Sequence, residues 1–238
     1  MEVTTYLNKT FNSKNPLVRF AHRRRYKANI ASLDLKDGTR ILDFGCGDAF
    51  FINMLLSSTS KNVNILGYEP YMTTINNNAL KIVRHWQEVV EDCQINGKFN
   101  YIVCFEVMEH FTSIKQKELL KDISNVLSED GVLIISVPIE KGFPAIIKNI
   151  IRRLNLNDNK TYNLKNMLAS FFGKALTEYR DREGYLSHMG FYFNDLEKVL
   201  EQYFTIEKKF FSPFRMLGYQ LNSQVFYILK ITWPHQFN

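Results

Sequence analysis

The chain has 238 residues, 45% of them hydrophobic, enough to bury the core of one α/β domain with additions. No apolar run approaches the roughly 20 residues of a membrane span, and the opening MEVTTYLNKT lacks the apolar core of a secretory signal, so the chain reads as cytosolic. Its three cysteines (Cys46, Cys93, Cys104) stand at no metal-ligand spacing, and its net charge of +6, concentrated at Arg23-Arg24-Arg25, Arg152-Arg153 and Lys208-Lys209, reads as a solvated face.

Apolar positions from Phe11 through Leu17, Val18, Phe20, Ala21, Tyr26 and Ile30 to Leu33 predict one or two helices over 15–35, closed by a turn at Gly38. Short apolar runs at 39–44, 63–68, 99–104 and 131–137 then read as strands, and helix-like segments at 49–58, 72–80 and 114–127 alternate with them. Such alternation implies βαβ units and a largely parallel sheet covered by helices on both faces. Residues 139–187 break the pattern with the amphipathic stretch AIIKNIIRRL (145–154), an Asn/Lys-rich link and another apolar helix at 164–172, so they are expected to form a lid. A helix at 194–203 and strands at 204–210 and 224–230 follow, the last two suggesting an antiparallel edge. The expected organisation is one domain: a helical extension over 1–38, a ligand-binding core over 39–138, the lid insertion over 139–187, and a C-terminal helix and strands over 188–238.

The stretch ILDFGCGDAFF runs from the first strand into the first core helix through Gly45 and Gly47. A tight strand-to-helix corner needs residues free of Cβ, and at the carboxyl end of a parallel strand that corner is where a ligand sits. A dinucleotide corner would continue G-x-G-x-x-G, but Phe50 holds the third glycine position and Asp43 repels phosphate. Asp43 instead favours a cation, and Glu69, closing the strand VNILGYE, can accept both hydroxyls of a ribose. The pair suits an adenosine that carries a cationic amino acid.

ILDFGCGDAFF, GYEPY, FNYIVCFEVMEHF and GVLIISVP resemble, in order and spacing, the signature segments of class I S-adenosylmethionine-dependent methyltransferases, close to the type 11 and type 12 groups. The resemblance covers residues 39–138 specifically and the last two strands more loosely. It implies a Rossmann-like, doubly wound, mostly parallel seven-stranded sheet with an antiparallel last strand. It also implies that S-adenosylmethionine is bound and S-adenosylhomocysteine released. By position it puts the methionine part at Asp43, Gly45 and Gly47, bordered by Phe105 and Glu106, and the ribose on Glu69 beside Pro70 and Tyr71. The region that usually supplies an adenine-binding Asp reads Val83-Arg-His-Trp-Gln-Glu88, so Trp86 or Gln87 is the expected adenine contact.

A second polar group, Glu106, Glu109 and His110, follows the fourth strand; the two carboxylates, three apart, would share one face of a helical turn. The E-x-x-E-H pattern is similar to that of ubiquinone-pathway O-methyltransferases and small-RNA 2′-O-methyltransferases, where a later histidine completes a cluster associated with a divalent cation. Here that histidine would be His188. Many type 11 relatives keep the Glu-His pair without metal, and that reading is preferred, with His110 and His188 as the expected bases for a hydroxyl acceptor. The acceptor is expected to be a small molecule, a glycan or a lipid-linked compound. The lid helix would form a pocket wall or, as the lesser alternative, touch an anionic membrane surface. An RNA 2′-O-methyltransferase and a non-catalytic cofactor-binding protein are the rival readings. Acceptor identity and oligomeric state are not written in the sequence.

Overall fold

The computed structural model describes residues 16–71, 80–140, 191–215 and 217–232. The helix expected over 72–80 falls outside these but for residue 80, as does the lid expected over 139–187 but for residues 139 and 140. His188 also lies outside the described residues.

Helix α1 (Pro16–Ile30) leads to β1 (Arg40–Phe44), α2 (Phe50–Ser58), β2 (Asn64–Tyr68) and β3 (Ile82–Val83). Then come α3 (Trp86–Asn96), β4 (Phe99–Phe105), a 3₁₀ turn (Met108–His110), α4 (Ser113–Val126) and β5 (Leu127–Pro138). After the undescribed stretch, α5 (Phe193–Leu200), β6 (Phe204–Ser212), a second 3₁₀ turn (Tyr219–Leu221) and β7 (Gln224–Ile231) complete the described chain.

The strands form one seven-stranded sheet in the order β3-β2-β1-β4-β5-β7-β6. β1, β2, β3, β4 and β5 pair in parallel, while β7 runs antiparallel to both β5 and β6, so the expected mostly parallel sheet with an antiparallel last strand is present. The strand order reverses between β1 and β4, where a crevice opens at the carboxyl ends of an open parallel sheet.

Adjacent residues of each central strand enter opposite cores, which is why these strands read as unbroken apolar runs. Leu42, Ile102 and Leu133 join Val89 of α3, Leu120 and Ile123 of α4, and Leu196 and Val199 of α5. Their neighbours Ile41, Val103 and Ile134 join Tyr26 of α1 and Phe51 and Leu55 of α2 on the other face. Full burial of such side chains is worth about 1.5–3 kcal/mol each.

Two expectations need correction. Helix α3 was not anticipated: its inward positions include the buried carboxylate Asp92 beside Val89, and Ile95 is 80% exposed, so the apolar stripe is broken. Asp92 is held instead by Arg40 of β1 and by Lys81, which tie the helix to the sheet. β5 also begins earlier than expected: Leu127 pairs with Phe99, and an irregularity between Phe99 and Tyr101 separates that pair from the main ladder, which starts at Val132.

Candidate functional site

A cavity of about 680 Å³ opens at the carboxyl ends of β1, β2 and β4. One side is the corner after β1. Gly45 has φ +78°, and a Cβ there would lie 2.4 Å from Val107 Cγ2, so only glycine lets the β1 and β4 loops meet. Gly47 (φ 55°) and Ala49 (φ 59°) also adopt left-handed backbone. The N–H groups of Gly45 and Cys46 both donate to the Tyr68 carbonyl, at 2.8 and 3.2 Å, fastening the corner to β2.

Asp43, one residue before the end of β1, lines this corner, yet only 3% of it is exposed. Its Oδ2 has no hydrogen-bond partner among the described residues. Burial first, and then the negative charge of Glu69, push its pKa up from 3.8 to about 8. Glu69, also buried, accepts the Gly47 N–H at 3.0 Å on Oε2 and the Tyr71 N–H at 2.9 Å on Oε1.

Phe44, Tyr68 and Trp86 form an aromatic wall at the α3 side, with ring centroids 5.1 Å apart for Phe44 and Tyr68, 5.7 Å for Phe44 and Trp86, and 5.4 Å for Tyr68 and Trp86. Trp86 lines the cavity, as do Pro70, Tyr71 and Phe105. Gln87 is not among the lining residues: it is exposed and pairs with Glu91 one turn along α3, so of the two residues named for the adenine only Trp86 faces the cavity. The first turn of α3 is closed by Glu88, which accepts the backbone N–H groups of Arg84 and His85.

The polar group after β4 is arranged differently from a shared helical face. Glu106 precedes the turn and has φ 60°, left-handed for a non-glycine residue. Its N–H donates to the Ser136 carbonyl at 2.9 Å, and its Oε1 accepts Nε2 of Gln224. The turn starts only at Met108, and there Glu109 is fully buried and does not line the cavity. His110 does line it, with its N–H donating to the Val107 carbonyl at 3.1 Å and its Nε2 3.9 Å from Glu109 Oε1. Among the described residues no three His, Cys, Asp or Glu side chains come together in a metal-like group.

Several lining residues were not singled out in the sequence. Tyr26 of α1 reaches the cavity with its ring edge-on to Phe50, the centroids 4.9 Å apart. Lys115, Leu119 and Asp122 line it from α4. Their spacing of four and three residues was a legible helical stripe, but a Lys and an Asp on a helix surface ordinarily read as solvated.

Residues 18–201 match a family model described as a methyltransferase domain. An ubiquinone biosynthesis O-methyltransferase of Bradyrhizobium diazoefficiens is 25% identical over 132 residues, a match covering 51% of this chain and 50% of that protein. The chain thus spans about half the length of the curated relatives it matches. Among solved structures, a TehB-like S-adenosylmethionine-dependent methyltransferase of Corynebacterium glutamicum superposes with a TM-score of 0.53 at 16% identity, covering 87% of this chain and 88% of that one. Magnesium protoporphyrin IX methyltransferase of Synechocystis, solved with bound S-adenosylhomocysteine, gives 0.55 at 12% identity, with 92% and 89% covered. At these identities the structural likeness speaks for the fold.

Proposed function

The chain belongs to the methyltransferase-domain family, Rossmann-like enzymes that draw their methyl group from S-adenosylmethionine, and from that premise we propose that it methylates a hydroxyl of a small-molecule, glycan or lipid-linked acceptor. The observation that carries this reading is the buried, unsatisfied Oδ2 of Asp43 beside a glycine corner that a Cβ would fill. A carboxylate in that position is costly unless a cation or a donor meets it. Gly45 and Gly47 give room for the methionine part, Asp43 faces its ammonium directly or through water, and Glu69, a buried carboxylate just after β2 that lines the cavity, accepts the ribose hydroxyls. Trp86, with Phe44 and Tyr68, offers an aromatic wall for the adenine. When bound, the cofactor supplies a methyl group on a sulfonium, whose C–S bond breaks as the acceptor oxygen takes the carbon, leaving S-adenosylhomocysteine.

The protein's own part is alignment, exclusion of water and proton removal. Glu106, held by Ser136 and Gln224 in a backbone conformation that costs on the order of 1–3 kcal/mol, borders the methyl end of the cavity. His110 takes the proton of the acceptor hydroxyl, and the carboxylate of Glu109 at 3.9 Å favours the resulting imidazolium. His188 remains a proposed second base.

The ubiquinone-pathway relatives are O-methyltransferases by name, which supports oxygen as the acceptor atom. The test is incubation with heavy-methyl S-adenosylmethionine and cell extract, followed by mass spectrometry. Label is expected in a hydroxyl-bearing small molecule, glycan or lipid, and His110→Ala should lower its incorporation at least about 10²-fold with S-adenosylhomocysteine affinity retained. Label confined to RNA, or none at all, would overturn the proposal.

A further inference from the structure

Beside the cavity, the connection between β6 and β7 puts large apolar side chains into water. Phe214, Leu217, Tyr219 and Leu221, joined by Phe20 of α1, are each between 40% and 53% exposed. Single exposed apolar residues are ordinary, but a cluster on one connection marks a binding surface. The rings of Phe20 and Phe214 lie 6.3 Å apart and bridge α1 to the connection.

The connection is not loosely held. Asn222, fully buried, accepts the Phe214 N–H at 2.7 Å and donates to the carbonyls of Leu217 at 2.7 Å and of Phe214 and Gly218 at 3.0 Å. One buried amide thus fixes the backbone while the side chains of 214, 217, 219 and 221 face outward.

The two segments that build the cluster carry charge of one sign. Helix α1 contains no acidic residue, and neither do residues 208–238. Arg24, Lys27 and Arg215 are exposed. Arg24 stacks on Phe20, its Cζ 5.9 Å from the ring centroid, and Arg215 stacks on Phe210 at 4.5 Å. Guanidinium groups resting on aromatic rings keep their charge beside an apolar surface.

We propose that this face, built from Phe20, Phe214, Leu217 and Leu221 with Arg24 and Arg215, docks on an anionic lipid surface. Leucines and aromatics fit the acyl boundary and arginines the headgroups. A nucleic acid would match the cations but would give Leu217 and Leu221 nothing to bury against. Both elements of the face are tied to the cavity: Tyr26 of α1 lines it, and Gln224, the first residue of β7 after the connection, donates to the cavity-lining Glu106. Docking there places the proposed methyl site at the membrane edge, where a lipid-linked acceptor is met.

Sedimentation with vesicles of phosphatidylcholine, with and without phosphatidylglycerol, tests this on the whole chain. Binding is expected only with phosphatidylglycerol and should weaken as salt rises. The double variant Leu217→Ser, Leu221→Ser should bind roughly tenfold more weakly, and Arg24→Glu about fivefold more weakly. Titration with S-adenosylhomocysteine checks that each variant keeps its fold and its cofactor site. No binding by the parent chain, equal binding by parent and variants, retention on RNA that the Leu217 and Leu221 substitutions leave unchanged, or a dimer in light scattering that those substitutions dissociate would each overturn the proposal.

Discussion

Asp43 is held where ionisation is unfavourable, and that has a readable consequence in pH. Its pKa is raised by burial and then by Glu69 from 3.8 to about 8. Below pH about 4 the carboxyl is protonated in folded and unfolded chains alike and affects stability little. Between about 4 and 8 the unfolded chain has released the proton while the folded chain keeps it, so stability falls as pH rises through that window and levels off above it. The melting temperature of the ligand-free protein should therefore drop more steeply from pH about 5 to about 8 than that of Asp43→Asn; parallel curves would show that Asp43 is not the group responsible. Asp43, Gly45, Gly47 and Glu69 could be picked out in the sequence because a strand-to-helix corner constrains residue type locally. His110 was legible as a polar residue at a strand end, but the separation of Glu106 from Glu109 was not. A left-handed φ at Glu106 depends on the Ser136 carbonyl and the Gln224 amide, 30 and 118 positions away in the chain.

Among the elements, the contrast between α2 and α3 shows what pattern can and cannot reveal. FFINMLLSS buries Phe51, Ile52 and Leu55 and was evident as a helix. WQEVVEDCQIN turns Asp92 inward, and no local pattern announces that Arg40 and Lys81 will meet it. Burial would raise the pKa of Asp92, but the hydrogen bonds from Lys81 and Arg40 outweigh it and leave the group below its usual range. Arg40, with only 14% of its side chain exposed, would be left with a largely buried charge if Asp92 were lost. Asp92→Ala should therefore destabilise the fold by about 3 kcal/mol, read as a shift of the denaturant midpoint. A shift within about 0.5 kcal/mol, the size expected at an ordinary surface position, would contradict this account of how α3 is anchored.

For the molecule as a whole, the mostly parallel doubly wound sheet, its antiparallel last strand and the placement of the crevice followed from the alternation of strands and helices and from the four signature segments. The cavity's breadth did not. Tyr26 arrives from α1, and Lys115, Leu119 and Asp122 from α4, brought together by packing on a common sheet. The apolar face at the β6–β7 connection was equally hidden, since the segment from Ser212 to Asn222 reads only as a turn region and nothing local shows that Asn222 will fix its backbone with Phe214, Leu217, Tyr219 and Leu221 exposed. The central claim is that the corner after β1 and the end of β2 together hold S-adenosylmethionine. Calorimetric titration of S-adenosylhomocysteine into the parent chain and into Glu69→Ala tests it most directly. The parent should bind, and the variant, shown to be folded by its melting curve, should lose about 1.5–3 kcal/mol of binding free energy as the ribose loses its charged acceptor. Absence of binding by the parent, or equal affinity in the two proteins, would contradict the claim.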